Sequence, residues 1–80
     1  MTEQQERLIR CFRAVFPALS REEVLTATVR NVPQWDSLAM VTLVALLEQE
    51  FGLSIDPLDA AECDSFDSVS ALLHERGALT

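Results

Sequence analysis

The sequence predicts an all-α fold: a small bundle of three main helices plus one short helix, with a long crossover loop after the first helix. Apolar residues recur at helical spacing in three stretches, and no stretch alternates polar and apolar residues for long enough to indicate a strand. Only two of the 80 residues are glycine, which also favours a helical fold over a turn-rich one. A chain of this length has room for one core, so we expect one domain spanning residues 1–80.

The first helix is predicted to begin at Thr2 and to end near Phe16. Thr2 and Gln5 have the spacing of a capping box, and Pro17 stops the helix because it cannot donate a backbone hydrogen bond. Four apolar residues recur on one side of this segment: Leu8, Phe12, Val15 and Leu19. That side is expected to face the core.

The other side of the first helix carries a row of arginines that we expect to be a solvated face. Arg7 and Arg10 lie four residues after Glu3 and Glu6, the spacing at which opposite charges on a helix surface can pair. Because the glutamates offset this positive charge, the row does not predict binding of nucleic acid.

The segment 17–36 is too long for a simple connection, and we interpret it as a partly helical crossover. Ser20 and Glu23 have the spacing of a second capping box, which predicts one or two helical turns. The end of the crossover is expected to be extended, with Val29 and Val32 packed beneath the bundle.

The central helix is predicted from Asp36, as the N-cap, to Phe51, with Gly52 as its left-handed end. Leu43 and Leu47 are expected to face the core. The short helix then begins after Asp56.

The last helix is predicted to be capped by Asp64 or Ser65 and to close at Gly77.

Ser37 is expected to lie in the first turn of the central helix, where free backbone N–H groups and the helix dipole favour a negative group. A phosphate ester on this serine would be stabilised there. The alternative interpretation is that Asp36 and Ser37 are only a helix cap.

The central helix is also more apolar than one buried face requires. Leu38, Val41 and Ala45 remain outside the core stripe, and exposed apolar residues indicate a docking surface. Three acidic residues are expected to surround that surface: Glu48, Asp59 and Glu62. Nine acidic residues but only one arginine follow position 30, so a charge-steered partner is expected to be basic.

The stretch WDSLAMVTLVALLEQEFGLSI resembles the central segment of acyl carrier and peptidyl carrier proteins, and the resemblance covers nearly the whole chain. It implies that Ser37 bears a 4′-phosphopantetheine arm derived from coenzyme A, whose thiol holds acyl or aminoacyl groups as thioesters. It also implies that Asp36 helps the modifying transferase to engage the site and that Leu38 and Val41 contact partner enzymes. The expected function is that of a non-catalytic carrier.

The implied partners are a phosphopantetheinyl transferase, an adenylating or acyl-transferring enzyme that loads the thiol, and a downstream synthase or transferase. Carriers of fatty-acid synthesis usually have several acids along the central helix, whereas Ala39, Thr42 and Leu47 are uncharged here. Trp35 before the motif is more usual in polyketide and nonribosomal peptide carriers. A freestanding, monomeric carrier of a secondary biosynthetic pathway is therefore favoured over one of fatty-acid synthesis.

Other classes of function are less favoured by the sequence. An enzyme using Ser37 as its nucleophile would need a base, and nothing in the spacing brings the single histidine, His74, towards it. Cys11 and Cys63 have no metal-site spacing and are expected to be small buried side chains in a cytoplasmic protein. The apolar run 38–47 is about half of the ~20 residues that a membrane span needs.

The runner-up function is a small helical adaptor that binds one protein partner through Leu38 and Val41, with Ser37 only a helix cap. Trp35 has two interpretations as well, an anchor for the crossover, which we favour, or a contact for the modifying enzyme.

Overall fold

Within residues 2–79, which the computed structural model describes, the chain forms five helices and no strand. The helices are α1 (Glu3–Val15), α2 (Arg21–Leu25), α3 (Ser37–Phe51), α4 (Pro57–Ala61) and α5 (Phe66–Glu75). The predicted all-α bundle of three main helices and a short one is confirmed. Helix α2 lies in the long crossover, where the second capping box predicted one or two turns.

The helix starts follow the predicted caps. The Thr2 hydroxyl accepts a hydrogen bond from the Gln5 backbone N–H at 3.2 Å, and the Gln5 side chain accepts one from the Thr2 N–H at 2.9 Å. Ser20 and Glu23 form the same reciprocal pair at α2. Of the two residues predicted to cap α5, Ser65 is the one that does so. Each cap satisfies donors that would otherwise lack a partner, which fixes where each helix begins.

The core lies between α1, α3 and α5. Its fully buried side chains are Leu8, Phe12, Val24, Leu43, Leu47, Val69 and Leu73. The Phe12 ring is central, because its centroid lies 5.5 Å from that of Trp35 and 5.2 Å from that of Phe66. The prediction that Cys11 and Cys63 are small buried side chains is confirmed.

The crossover is fixed to the start of α5 by backbone hydrogen bonds. The Val29 N–H donates to the Asp64 carbonyl and the Phe66 N–H donates to the Ala27 carbonyl, each at 2.9 Å. Val32 is buried as predicted, but the burial predicted for Val29 is wrong, since its side chain is 41% exposed. Its backbone, not its side chain, connects Val29 to the bundle.

The arginine row of α1 does not pair along its own helix as predicted. Glu6 pairs instead with both terminal nitrogens of Arg21 on α2. Arg7 donates to the Glu50 carboxylate of α3 at 2.9 Å, and its guanidinium lies 5.1 Å from the centre of the Phe51 ring. Arg21 therefore connects α2 to α1, and Arg7 connects α1 to α3. The order of residues on α1 alone does not specify either contact.

Candidate functional site

Ser37 is the first residue of α3 and is exposed. The N-cap is Asp36, whose Oδ1 accepts a hydrogen bond from the Ala39 N–H at 2.9 Å. The Ser37 hydroxyl makes no hydrogen bond to any residue in the described part of the chain. Asp36 therefore has a structural role as the helix cap, whereas no contact of the Ser37 hydroxyl indicates a structural role.

Trp35 fixes the chain immediately before this serine. Its side chain is 6% exposed and packs on the rings of Phe12 and Phe16, with centroid distances of 5.5 and 5.6 Å. The indole N–H donates to the Met40 sulfur at 3.3 Å. The predicted anchoring role of Trp35 is confirmed, and this anchor holds the start of α3 at the bundle surface with Ser37 outside the core.

The electrostatics of the helix start favour an anion on Ser37. Helix α3 is 15 residues long, and its first turn contains no acidic residue. The unpaired N–H groups and dipole of a helix N-terminus stabilise nearby negative charge, by about 0.3–1 kcal/mol at an exposed position. A phosphodiester on the Ser37 oxygen therefore fits the residues present.

An open groove of about 520 Å³ runs from Ser37 between α3 and α4. Its lining is mostly apolar and comprises Met40, Val41, Val44, Ala45, Ile55, Pro57, Ala60 and Ala61, together with Glu48. Glu48 lies about 16 Å from Ser37 along the helix axis, and its Oε2 accepts a hydrogen bond from the Ile55 N–H at 2.8 Å. The groove thus begins at the serine and reaches the connection between α3 and α4.

Exposed apolar residues lie on both helices that border the groove: Leu38, Val41 and Ala45 on α3, of which Val41 and Ala45 also line the groove, and Leu58 on α4. Together we call them the α3–α4 surface. Leu38 is 76% exposed, Val41 67% and Leu58 81%, and Ala45 is exposed as well. Leu58 cannot be identified from the sequence, because a five-residue helix has too few turns to show which side of it faces solvent. Its high exposure is the signal that identifies it.

Two of the three acids named as partner-binding residues already have contacts within the chain. Asp59 forms an ion pair with Arg76, and the Glu48 carboxylate accepts a hydrogen bond from the Ile55 N–H. Glu62 is exposed. The role of these three residues in binding partners stays a prediction, and Glu62 has the carboxylate most accessible to a partner.

The remaining nucleophilic and metal-binding side chains lie away from Ser37. His74 lines a separate cleft with Gln5 and Asp67, and Ser37 is not part of that cleft. Burial raises the pKa of the Cys11 and Cys63 thiols, which lowers their reactivity.

Across residues 2–79, no group of three or more histidine, cysteine, aspartate or glutamate side chains is placed to hold a metal ion. Among the same residues, no helix has both the length and the apolar character that crossing a membrane requires.

Comparison with known proteins finds a family model that matches nearly half of the chain. The family model described as "Phosphopantetheine attachment site" matches residues 35–73, from Trp35 through Leu73, which include Ser37, α3, α4 and most of α5. No significant match to this chain was found among curated proteins or among solved structures. Members of the matched family carry a 4′-phosphopantetheine prosthetic group and are in general non-catalytic carriers. The matched segment includes the serine, the groove and the exposed apolar residues of α3 and α4, and this supports an acyl or peptidyl carrier protein of the phosphopantetheine-binding family.

Proposed function

We propose that the protein carries acyl or aminoacyl intermediates as thioesters on a 4′-phosphopantetheine arm attached to Ser37, and presents them to partner biosynthetic enzymes. The observation that carries this proposal is the Ser37 hydroxyl, exposed at the first position of α3 and without a hydrogen-bond partner in the described residues. An unengaged, exposed hydroxyl is available to a modifying enzyme at no cost to the fold.

The structure around Ser37 suits both attachment of the arm and use of its thiol. In the modification step the Ser37 oxygen loses its proton and forms a phosphodiester, while coenzyme A releases adenosine 3′,5′-bisphosphate. The N-terminus of α3 stabilises the negative charge of that phosphodiester. The arm supplies a terminal thiol, which holds the cargo as a thioester. Because Cys11 and Cys63 are buried, neither competes with that thiol for the cargo.

The partners of such a carrier are the phosphopantetheinyl transferase, the enzyme that loads the thiol and the enzymes that take the cargo. We assign their docking to the α3–α4 surface, which lies beside Ser37 and is largely exposed. Asp36, also exposed, is assigned to engaging the transferase. The uncharged residues Ala39 and Thr42, together with Trp35, support a polyketide or nonribosomal peptide pathway over fatty-acid synthesis; Leu47 is buried in the core and does not bear on this choice.

The proposal is tested by intact mass spectrometry after incubation with coenzyme A and a broad-specificity phosphopantetheinyl transferase. The expected result is a gain of one phosphopantetheine, which peptide mapping places on the segment containing Ser37. If a folded protein gains no mass with this enzyme or with a transferase from the native host, the carrier function is wrong. The adaptor would then be favoured, with the α3–α4 surface as its binding site.

Leu38→Asp is expected to lower kcat/KM for modification by the transferase by about ten- to hundredfold, since burying one leucine side chain contributes about 1.5–3 kcal/mol. The fold should be retained, because Leu38 is 76% exposed. The matched control is Gln49→Glu, which adds the same charge at an exposed position about 16 Å farther along the helix axis. Transfer at the wild-type rate by Leu38→Asp would contradict this placement of the docking surface.

A further inference from the structure

Trp35 and Met40 lie on either side of Ser37 in the chain, and their side chains contact each other. The Trp35 indole N–H donates a hydrogen bond to the Met40 sulfur at 3.3 Å, and this sulfur is its only acceptor among residues 2–79. The Met40 backbone N–H donates to the Asp36 carbonyl at 2.9 Å, where the backbone hydrogen bonding of α3 begins. The segment 35–40 is therefore closed by one backbone contact and one side-chain contact.

The position of Ser37 depends on this closed segment. The Ser37 hydroxyl has no hydrogen bond in the described part of the chain, so the backbone between Trp35 and Met40 determines where its oxygen points. Trp35 is in turn fixed to the bundle, since it is 6% exposed and packs on the rings of Phe12 and Phe16. The Met40 sulfur thus joins α3 to this aromatic anchor across the serine.

Met40 is also the member of this contact that is open to chemical change. Its side chain is half-buried and lines the groove that begins at Ser37, so a small oxidant reaches it from solvent. Oxidation of a thioether to the sulfoxide turns a flexible apolar side chain into a polar one. Cys11 and Cys63 are better protected from the same oxidant, because burial raises the pKa of both thiols and so disfavours the reactive thiolate.

We propose that the Met40 thioether is a positioning residue for attachment of the arm at Ser37, and that oxidation of this thioether by a peroxide slows the attachment. The sulfur is oxidised by two electrons and forms a bond to one peroxide oxygen, the O–O bond breaks, and the other oxygen leaves as water. The sulfoxide is larger and more polar than the thioether, so the contact with the Trp35 N–H is not retained. The role of Met40 in attachment rests on the proposed function, whereas its contact with Trp35 does not.

The test uses the full chain before attachment of the arm, which is the form that a phosphopantetheinyl transferase modifies. Hydrogen peroxide is added until peptide mapping shows one oxygen atom on Met40. Cleavage at arginine places Met1, the other methionine of the chain, on a different peptide. Attachment at Ser37 is then followed by intact mass spectrometry at several protein concentrations.

The kcat for attachment is expected to fall by about two- to tenfold after oxidation, the range that corresponds to the net contribution of one hydrogen bond. The KM for the carrier should change by less than about twofold, because Met40 is not part of the α3–α4 surface to which docking is assigned. Loss confined to kcat is the result expected of a residue that positions the reacting oxygen.

Trp35 reports the loss of the contact independently of attachment. It is the only tryptophan in the chain, so oxidation of Met40 is expected to change the fluorescence emission of the protein. Far-UV circular dichroism should not change, which separates a shift at the start of α3 from unfolding of the bundle. Treatment with methionine sulfoxide reductases that act on both sulfoxide epimers should restore the emission and the kcat together.

Two variants serve as controls. Met40→Leu keeps an apolar side chain of similar volume but removes both the hydrogen-bond acceptor and the thioether. It should have the lowered kcat without peroxide and should not respond to peroxide. Adding Leu46→Met to this variant returns a thioether to α3 about 9 Å along the helix axis, at a half-buried position in the cleft beside Arg10. Its kcat should equal that of Met40→Leu before and after peroxide.

The positioning role of Met40 is overturned if complete oxidation of Met40 leaves the kcat unchanged or raises it, or if Met40→Leu retains the wild-type kcat. It is also overturned if peroxide slows the double variant as much as the wild type. Absence of attachment to the untreated wild type would instead contradict the carrier function, and with it the reaction that Met40 serves. The Trp35 emission and the oxygen gain at Met40 are measured without any attachment, so the two failures are distinguishable.

Discussion

Ser37→Ala is expected to abolish attachment of phosphopantetheine while leaving the protein folded. The substitution removes the oxygen that forms the phosphodiester, so no residual modification should be detected by intact mass spectrometry under conditions that convert the wild type completely. Stability should change little, within about 0.5 kcal/mol, because Ser37 is exposed and its hydroxyl has no hydrogen bond in the described residues.

Two comparisons make this result specific. Ser54→Ala makes the same chemical change at another exposed serine and should be modified like the wild type. Asp36→Ala removes the N-cap of α3 and should lower the free energy of unfolding by about 0.5–2 kcal/mol. A mass gain on Ser37→Ala equal to that of the wild type would place the arm on another residue and contradict the assigned site.

The features that could be predicted from the sequence are those whose contacts span three or four residues. The capping boxes of Thr2 and Ser20 and the N-cap of Asp36 join a side chain to a backbone N–H three positions later. Gly52 adopts φ 64° and ψ 39° at the end of α3, as expected of a glycine there. Such contacts form within one segment, so local residue order determines them whatever the other helices do.

Contacts between distant segments could not be predicted in the same way. The ion pair of Glu6 with Arg21 spans 15 positions, and that of Arg7 with Glu50 spans 43. These ion-pair partners are determined by the helices that pack against α1. The charge pattern on α1 alone is compatible with several different ion pairs. The exposure of Val29 has the same origin, because its backbone pairing with Asp64 depends on where α5 begins.

The site shows the same division between local and distant contacts. Ser37 and the apolar residues beside it on α3 could be recognised because they lie on one helix with a regular period. Leu58 and the ion pair of Arg76 with Asp59 could not, since both depend on how the short helix α4 lies against α3 and α5. Asp59 is evident in the sequence as an acid, but its ion pair with Arg76 is not.

Phe12→Ala is expected to cause the largest loss of stability among the substitutions considered. Phe12 is 0% exposed, and its ring contacts Phe16 at the end of the same helix, Trp35 of the crossover and Phe66 of α5. Truncating a buried phenylalanine costs about 3–5 kcal/mol through lost burial and the cavity left behind. A domain of this size has a total stability of about 4–12 kcal/mol, so a large part of it would be lost.

Urea denaturation, followed by far-UV circular dichroism and by Trp35 fluorescence, measures this loss and its effect on the site. Trp35 is the only tryptophan and rests on Phe12, so its emission should shift towards that of a solvated indole even where the helices remain formed. Phe51→Ala is the matched control, because Phe51 is only partly buried at the end of α3 and should cost less. If the two variants lost equal stability, Phe12 would not be the centre of the core.

Because Trp35 directly precedes the start of α3, a Phe12→Ala protein that remains folded should also be modified more slowly at Ser37, which would link the aromatic core to the function of the carrier.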